Sequence, residues 1–182
     1  MAGVYDTRRV ETPQPRPLIS AEQIAARVSA LGLEIAAAIP PGELTVVGVL
    51  RGAFMFMADL VRAIPREVRC DFLGVRSYGD ATVSSGIVEI TSDLLLPIEG
   101  QHVLLVEDIA DTGLTIKYLL DVLGTRRPAS LHVCALLSKP SRRKVAVPVH
   151  FVGFEVPDRF VVGYGLDAAQ RFRNLPHIAV VE

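Results

Sequence analysis

The chain has no tryptophan, only two cysteines, and aromatic residues at 6% of its 182 positions. Two thiols cannot build a disulfide scaffold. Cys70 and Cys134 each sit inside an apolar run, which predicts buried free thiols in a reducing compartment. An excess of either charge is also missing: 19 Lys and Arg stand against 20 Asp and Glu, for a net charge of −1. That balance excludes bulk attraction to nucleic acid or to an anionic membrane and leaves only local basic patches. No apolar run approaches the roughly 18 residues of a membrane span. The polar, proline-bearing N-terminus does not read as a signal peptide. A cytoplasmic protein is expected, with no membrane and no nucleic acid among its partners. Internal repeats and low-complexity tracts are absent too.

Hydrophobic residues are abundant, at 50% of the chain, and the length suits one domain with a full core. Residues 1–17 carry three prolines and scattered charges and are expected to form an N-terminal arm, with a single domain over 18–182. Ser20 and Gln23 form a capping box, and Ile19 and Ile24 a hydrophobic staple. Ile24, Val28, Leu31 and Ile35 share one face of the helix that follows, which ends near Pro40. Leu44–Leu50, Val68–Val75, Val103–Glu107 and Leu131–Leu137 read as strands, the first and third almost wholly apolar and therefore covered on both faces. Phe54–Ile64 reads as a helix between the first two. Ile116, Leu119, Leu120 and Leu123 line a third helix, with Gly124 as its C′ residue. Val149–Phe154, Phe160–Val162 and Ile178–Val181 are short later strands. Strands alternating with helices predict an α/β fold around a mostly parallel sheet. Ser77–Gly86 is small and polar, and alternation beyond it at Val88 and Ile90 suggests a two-stranded ribbon with a mobile tip.

In an open α/β sheet, ligands bind beyond the carboxyl ends of the strands. Here those ends carry Arg51-Gly52, Glu107-Asp108 and Lys139. After Glu107-Asp108, the run Asp111-Thr112-Gly113-Leu114-Thr115 opens a helix. A helix start offers unpaired N–H groups and a favourable dipole, Gly113 permits close approach, and the hydroxyls of Thr112 and Thr115 add donors, so a phosphate suits this place. Asp-Thr-Gly alone is also compatible with a plain turn and cap. Glu107 and Asp108 follow four apolar residues, a costly setting for idle charge, and suit sugar hydroxyls and Mg2+. Arg142-Arg143-Lys144 reads as a solvated basic loop, and His102, His132, His150 and His177 are scattered without metal-ligand spacing.

Leu105-Val106-Glu107-Asp108-Ile109-Ala110-Asp111-Thr112-Gly113-Leu114-Thr115 resembles the phosphoribosyl-pyrophosphate (PRPP) motif of type I phosphoribosyltransferases. Leu50-Arg51-Gly52, Arg76-Ser77-Tyr78-Gly79, Leu136-Leu137-Ser138-Lys139-Pro140, Phe160 through Asp167, and Phe172-Arg173-Asn174-Leu175-Pro176 are similar, in the same order, to hypoxanthine-guanine phosphoribosyltransferases. The resemblance covers residues 18 to 182. It implies the type I fold, with a small hood and a flexible lid hairpin, and a purine salvage enzyme (a pentosyl glycosyltransferase) that joins hypoxanthine or guanine to PRPP, yielding IMP or GMP and pyrophosphate. It further implies Asp111 as the proton acceptor at purine N7, and Asp111, Thr112, Gly113, Leu114 and Thr115 around the 5′-phosphate. Glu107 and Asp108 would face the ribose and the metal. Lys139, Phe160, Val161 and Asp167 would hold the purine, Asp167 also binding a second Mg2+. Arg51, Gly52 and Arg173 would hold pyrophosphate, Ser77 and Tyr78 would tip the lid, and the assembly would be a homodimer or homotetramer.

Three positions depart from the family pattern: Arg51 replaces a usual lysine in a turn that carries a cis peptide, Ala110 a bulkier aliphatic, and Ala168 an aromatic. A regulatory protein on the same fold, sensing PRPP or nucleotide and binding nucleic acid, is the competing expectation. Retention of Asp111, Lys139, Ser77-Tyr78 and Arg173 favours the enzyme. The balance between hypoxanthine, guanine and xanthine is not legible at this level.

Overall fold

The computed structural model describes residues 14–80 and 83–181, apart from the side chains of residues 77–87. Its frame is a six-stranded sheet in the order β4-β3-β2-β5-β6-β7. The strands are β2 (Leu44–Leu50), β3 (Arg69–Asp80), β4 (Val83–Ser92), β5 (His102–Ala110), β6 (Ser130–Ser138) and β7 (Phe151–Glu155). All neighbours are parallel except β3 and β4, which form an antiparallel ribbon at one edge. The parallel core explains the unbroken apolar runs: β2 and β5 are central and have both faces covered. Val46, Leu104, Val106, Cys134 and Leu136 pack on one side under α1 (Ala21–Ala38) and α2 (Phe54–Ala63). Val47, Val49, Val103, Leu105 and Val133 pack on the other under α3 (Leu114–Gly124).

The start of α1 follows from its first four residues. The Ser20 side chain accepts from Gln23 N–H, and the Gln23 side chain accepts from Ser20 N–H at 2.8 Å, closing the capping box. Such a cap is worth about 1 kcal/mol. Ile24, Val28, Leu31 and Ile35 are buried on one face, as their spacing requires.

Several boundaries differ from the sequence expectation. Arg16 and Pro17 are not arm but part of β1 (Arg16–Ile19), which pairs antiparallel with β9 (Ile178–Val180). Residues 1–13 of the expected arm lie outside the described residues. With β8 (Val161–Val162), these strands form a second sheet in the order β1-β9-β8. Gly124 is the last residue of α3 rather than its C′ residue, and the left-handed position is taken by Arg127 at φ 53. Cys134 is buried, but Cys70 is exposed: it lies opposite Val46, on the face of the sheet that carries α1 and α2, yet stays uncovered there. Among the described residues, no helix is long and apolar enough to cross a membrane.

Candidate active site

Sheet register brings together groups distant in sequence. Val106 lies opposite Gly48 on β2 and Cys134 on β6, so the three strands end side by side. Pairing of β5 with β6 continues to Ala110 opposite Ser138, and the N–H of Lys139 then donates to Ala110 O at 3.0 Å. Lys139 is thus set next to Asp111. On the other side, Leu50 and Arg51 are joined by a cis peptide bond, and the turn that follows comes against Asp108.

The Asp111–Thr115 turn has the form of a helix start. Gly113 adopts φ 86, a left-handed conformation natural to glycine, and starts α3. Leu114 N–H is 3.4 Å from Thr112 Oγ1. The N–H groups of the first helical turn lack intrahelical acceptors by geometry. Behind the turn, Thr112 O accepts from Lys144 N–H at 2.9 Å. Arg143 donates from Nη2 to Ser138 Oγ at 3.2 Å, while its buried Nη1 has no partner. A buried guanidinium N–H beside an anion-type turn is an open donor.

Glu107 is 5% exposed, and its Oε1 is buried without a hydrogen-bond partner. Burial, reinforced by the neighbouring Asp108 charge, pushes its carboxyl well above the usual range. Burial also raises Asp108, to about 6, against the opposing pull of the backbone N–H of Ile109 and the charge of Arg173. Among the described residues, no three acidic, histidine or cysteine side chains form a ready metal cage. Mg2+ does not require one, since it binds through one or two carboxylates with water and substrate phosphate. An orphaned buried carboxylate oxygen beside a second carboxylate fits such a hard cation.

Two adjoining cavities share Asp108 and Asp167. One, of about 390 Å³, is lined by Asp111, Lys139, Arg142, Phe160 and Val161, among others. The other, of about 220 Å³, is lined by Arg51, Gly52, Glu107, Thr115 and Arg173. In the larger cavity Lys139 is 7% exposed and donates from Nζ to Arg159 O at 2.7 Å, with Asp158 Oδ1 at 3.9 Å. Phe160 holds a ring 53% exposed, an open apolar face. Its carbonyl is fixed by Val181 N–H at 3.0 Å, and Val161 is buried in β8. In the smaller cavity Arg173 Nη2 pairs with Asp167 Oδ1 at 2.7 Å, and Nη1 donates to Gly165 O at 2.7 Å.

Sequence reading missed Arg142. It is not a solvated loop residue: its Nε lies 3.1 Å from Asp111 Oδ1, and its Nη1 lies 3.5 Å from Asp158 Oδ2. Nothing in the local pattern distinguished it from Lys144, because the contact depends on how the 3-10 turn Pro140–Arg142 folds back after β6. Arg143 is likewise engaged rather than solvated. Ser77 and Tyr78 lie on β3 opposite Val88 and Ile87 of β4, and their side chains are among those outside the description. Of the four histidines, three meet far from this site: His102 Nδ1 and His132 Nδ1 lie 2.7 and 3.3 Å from Ser130 Oγ, and the His132 and His150 rings are 4.9 Å apart.

A family model for the phosphoribosyl transferase domain matches residues 19–169. The chain belongs to this family. As a phosphoribosyl transferase domain protein it is 52% identical over 167 residues to hypoxanthine phosphoribosyltransferase of Haemophilus influenzae, covering 90% of this chain and 93% of the relative. It is 48% identical over 165 residues to hypoxanthine-guanine phosphoribosyltransferase of Bacillus subtilis, covering 91% and 92%. The crystal structure of a hypoxanthine-guanine phosphoribosyltransferase from Bacillus anthracis superimposes with a TM-score of 0.88 at 44% identity, over 93% of this chain and 100% of that one. The fold is therefore that of a type I phosphoribosyltransferase.

Proposed function

We propose that this chain is a purine salvage enzyme that transfers the phosphoribosyl group of PRPP to hypoxanthine or guanine, giving IMP or GMP and pyrophosphate. One observation carries the reading. The acid-tipped end of β5, the start of α3, and a pocket holding Lys139, Phe160 and Asp111 line two adjoining cavities that share Asp108 and Asp167. An anion-type turn, paired carboxylates and a base-sized pocket in that order match a phosphorylated sugar between a leaving group and a purine.

The residues divide the work as follows. The turn from Asp111 to Thr115 binds the 5′-phosphate through helix-start N–H groups and hydroxyls. Glu107 and Asp108 accept from the ribose hydroxyls. Arg51, the Gly52 backbone and Arg173 bind the pyrophosphate. In the reaction the bond from ribose C1 to pyrophosphate breaks, and a bond from C1 to purine N9 forms. The ring proton leaves to Asp111 at N7. Arg142 occupies only Oδ1 of Asp111, so the second carboxylate oxygen remains to accept. Lys139 spends one proton on Arg159 O and keeps two for the purine O6. Adenine presents an amino group there, which cannot accept, and a buried ammonium would lose its partner. Phe160 stacks on the base, and the Val161 backbone meets its other edge.

Mg2+ would be held by Glu107 and Asp108, with a second ion at Asp167, and it offsets the charge that grows on the departing pyrophosphate. Asp167 already accepts from Arg173 and from Gln170 N–H, yet a carboxylate offers about four lone-pair sites. Ser77 and Tyr78, on the β3–β4 ribbon, would close over the reacting carbon and exclude water from a sugar with cationic character. We read residues 18–182 as one catalytic unit in the cytoplasm. Its α2 leaves Phe54 exposed and would pack a homodimer or homotetramer.

The test is a panel of hypoxanthine, guanine, xanthine, adenine and uracil, each with PRPP and Mg2+, monitored for nucleotide and pyrophosphate. Product is expected with the 6-oxopurines and not with adenine or uracil. No product with any base would remove the enzymatic reading.

A further inference from the structure

Gln170 stands between the two arginines of the pyrophosphate pocket. Its Oε1 accepts from Arg51 Nη1 at 3.3 Å and from Arg173 Nη2 at 3.2 Å. Its own N–H donates to Asp167 Oδ2 at 2.7 Å, and Asp167 Oδ1 in turn pairs with Arg173. One side chain and its backbone therefore tie together Arg51, from the turn after β2, and Arg173 and Asp167, more than a hundred residues further on.

The backbone around Gln170 is unusual. Ala169, Gln170 and Phe172 all have left-handed φ values, of 50, 65 and 73. That region is disfavoured for residues with a side chain. It persists where surrounding contacts over-determine it, and such places cluster at functional sites. From this segment the Gln170 amide oxygen meets Arg51 and Arg173. Arg51 itself is exposed and has a long side chain with many rotamers. Among the described residues, the Gln170 side chain accepts from its guanidinium.

We infer that Gln170 is a positioning residue for the diphosphate of PRPP, its amide oxygen holding the Arg51 and Arg173 guanidinium groups as a preformed pair. This rests on the phosphoribosyl-transfer reading above. The two cations repel, and a shared acceptor between them offsets that repulsion. A neutral amide does so without cancelling the charge that the diphosphate needs. Ordering Arg51 before the substrate arrives lowers the entropy lost on binding. The loop after Gly165 thus shapes the pyrophosphate site through a residue that need not touch the ligand.

The variants Gln170→Gly and Gln170→Asn separate this role from a structural one. Glycine accepts the left-handed backbone freely, so Gln170→Gly removes the acceptor oxygen without straining the loop. Asparagine also tolerates that backbone and keeps a neutral amide acceptor, one carbon shorter. With the intact enzyme and Mg2+, Gln170→Gly is expected to raise KM for PRPP, and the Kd for pyrophosphate measured by calorimetry, about tenfold, the low end of the worth of a hydrogen bond to a charged group, as suits bonds of 3.2 and 3.3 Å. The kcat at saturating PRPP and KM for hypoxanthine should hold near wild type. Gln170→Asn should restore KM for PRPP in part. Wild-type PRPP and pyrophosphate binding in Gln170→Gly would overturn the inference, as would equal impairment in both variants. If the wild-type chain makes no nucleotide, the enzymatic reading fails instead, and the pyrophosphate titration still reports on the arginine pair.

Discussion

A side-chain carbon added to Gly52 would lie 1.5 Å from Oδ2 of Asp108 and 2.4 Å from its Cγ. The overlap is with the carboxylate group itself, so a Cβ there would drive that carboxylate out of its place; the Asp108 Cβ, at 3.2 Å, is only tight. The turn after β2 is therefore built against the carboxylate at the end of β5. It is closed from the third side by Gly165, at φ 101, where a Cβ would meet Gly52 O at 2.2 Å. Gly52→Ala should displace Asp108 or the turn by about an ångström. Misplacement on that scale costs roughly 100-fold in rate, read as kcat/KM for PRPP. The thermal midpoint should change little, since the turn lies outside both core clusters. Unimpaired turnover would mean that Asp108 does not work from this position.

Asp111→Asn keeps the shape of the turn and removes the proton acceptor. Nucleotide formation should slow by about 10²–10⁴-fold, the usual worth of a general base, with PRPP affinity much less affected. Steady-state kinetics with a separate PRPP titration distinguish the two. A variant with full turnover would remove Asp111 from the proton transfer.

Lys139→Ala takes a buried ammonium from the wall of the larger cavity. The loss of a charged hydrogen bond to purine O6 should lower kcat/KM for hypoxanthine and guanine about 100-fold, and KM for PRPP should hold. Unchanged kinetics would place the purine elsewhere.

The histidine cluster at the opposite end of the sheet makes stability depend on pH. Burial, helped by the nearby His150 and His102, lowers the basicity of His132, and burial lowers that of His150. With the folded values below the unfolded value of about 6.5, the unfolded chain takes up protons first as pH falls. The contribution is therefore complete above about 6.5 and is lost as pH drops through the lowered folded values. Thermal midpoints measured from pH 7.5 down to pH 5 should fall, and His132→Gln should flatten the dependence. An identical slope in the variant would exclude the cluster as its source.

Local chemistry carried much of this protein's description. The Ser20–Gln23 box, the apolar runs of β2 and β5, and the Asp111–Thr115 turn are set by neighbours within a few residues, where steric preference and hydrogen bonding act directly. Strand ends were less legible. β3 continues to Asp80, beyond the apolar run, because pairing with β4 satisfies its backbone whether or not the side chains are buried. Cys70 lies in an apolar run yet is exposed, since run composition does not say which side of a strand another element covers.

The amino-acid sequence by itself determined the α/β alternation, the acid-tipped strand with the Asp111–Thr115 turn after it, and the residue types that stand at the strand ends. Only the tertiary structure decided which of them meet. Parallel register set Lys139 beside Asp111, and the fold-back after β6 put Arg142 on the same carboxylate. The left-handed loop after Asp167 joined Gln170 to Arg51 across 119 positions. The physical reason is range. Helix caps and turns form between near neighbours, whereas a guanidinium finds its acceptor only after the sheet has fixed where both chain segments end.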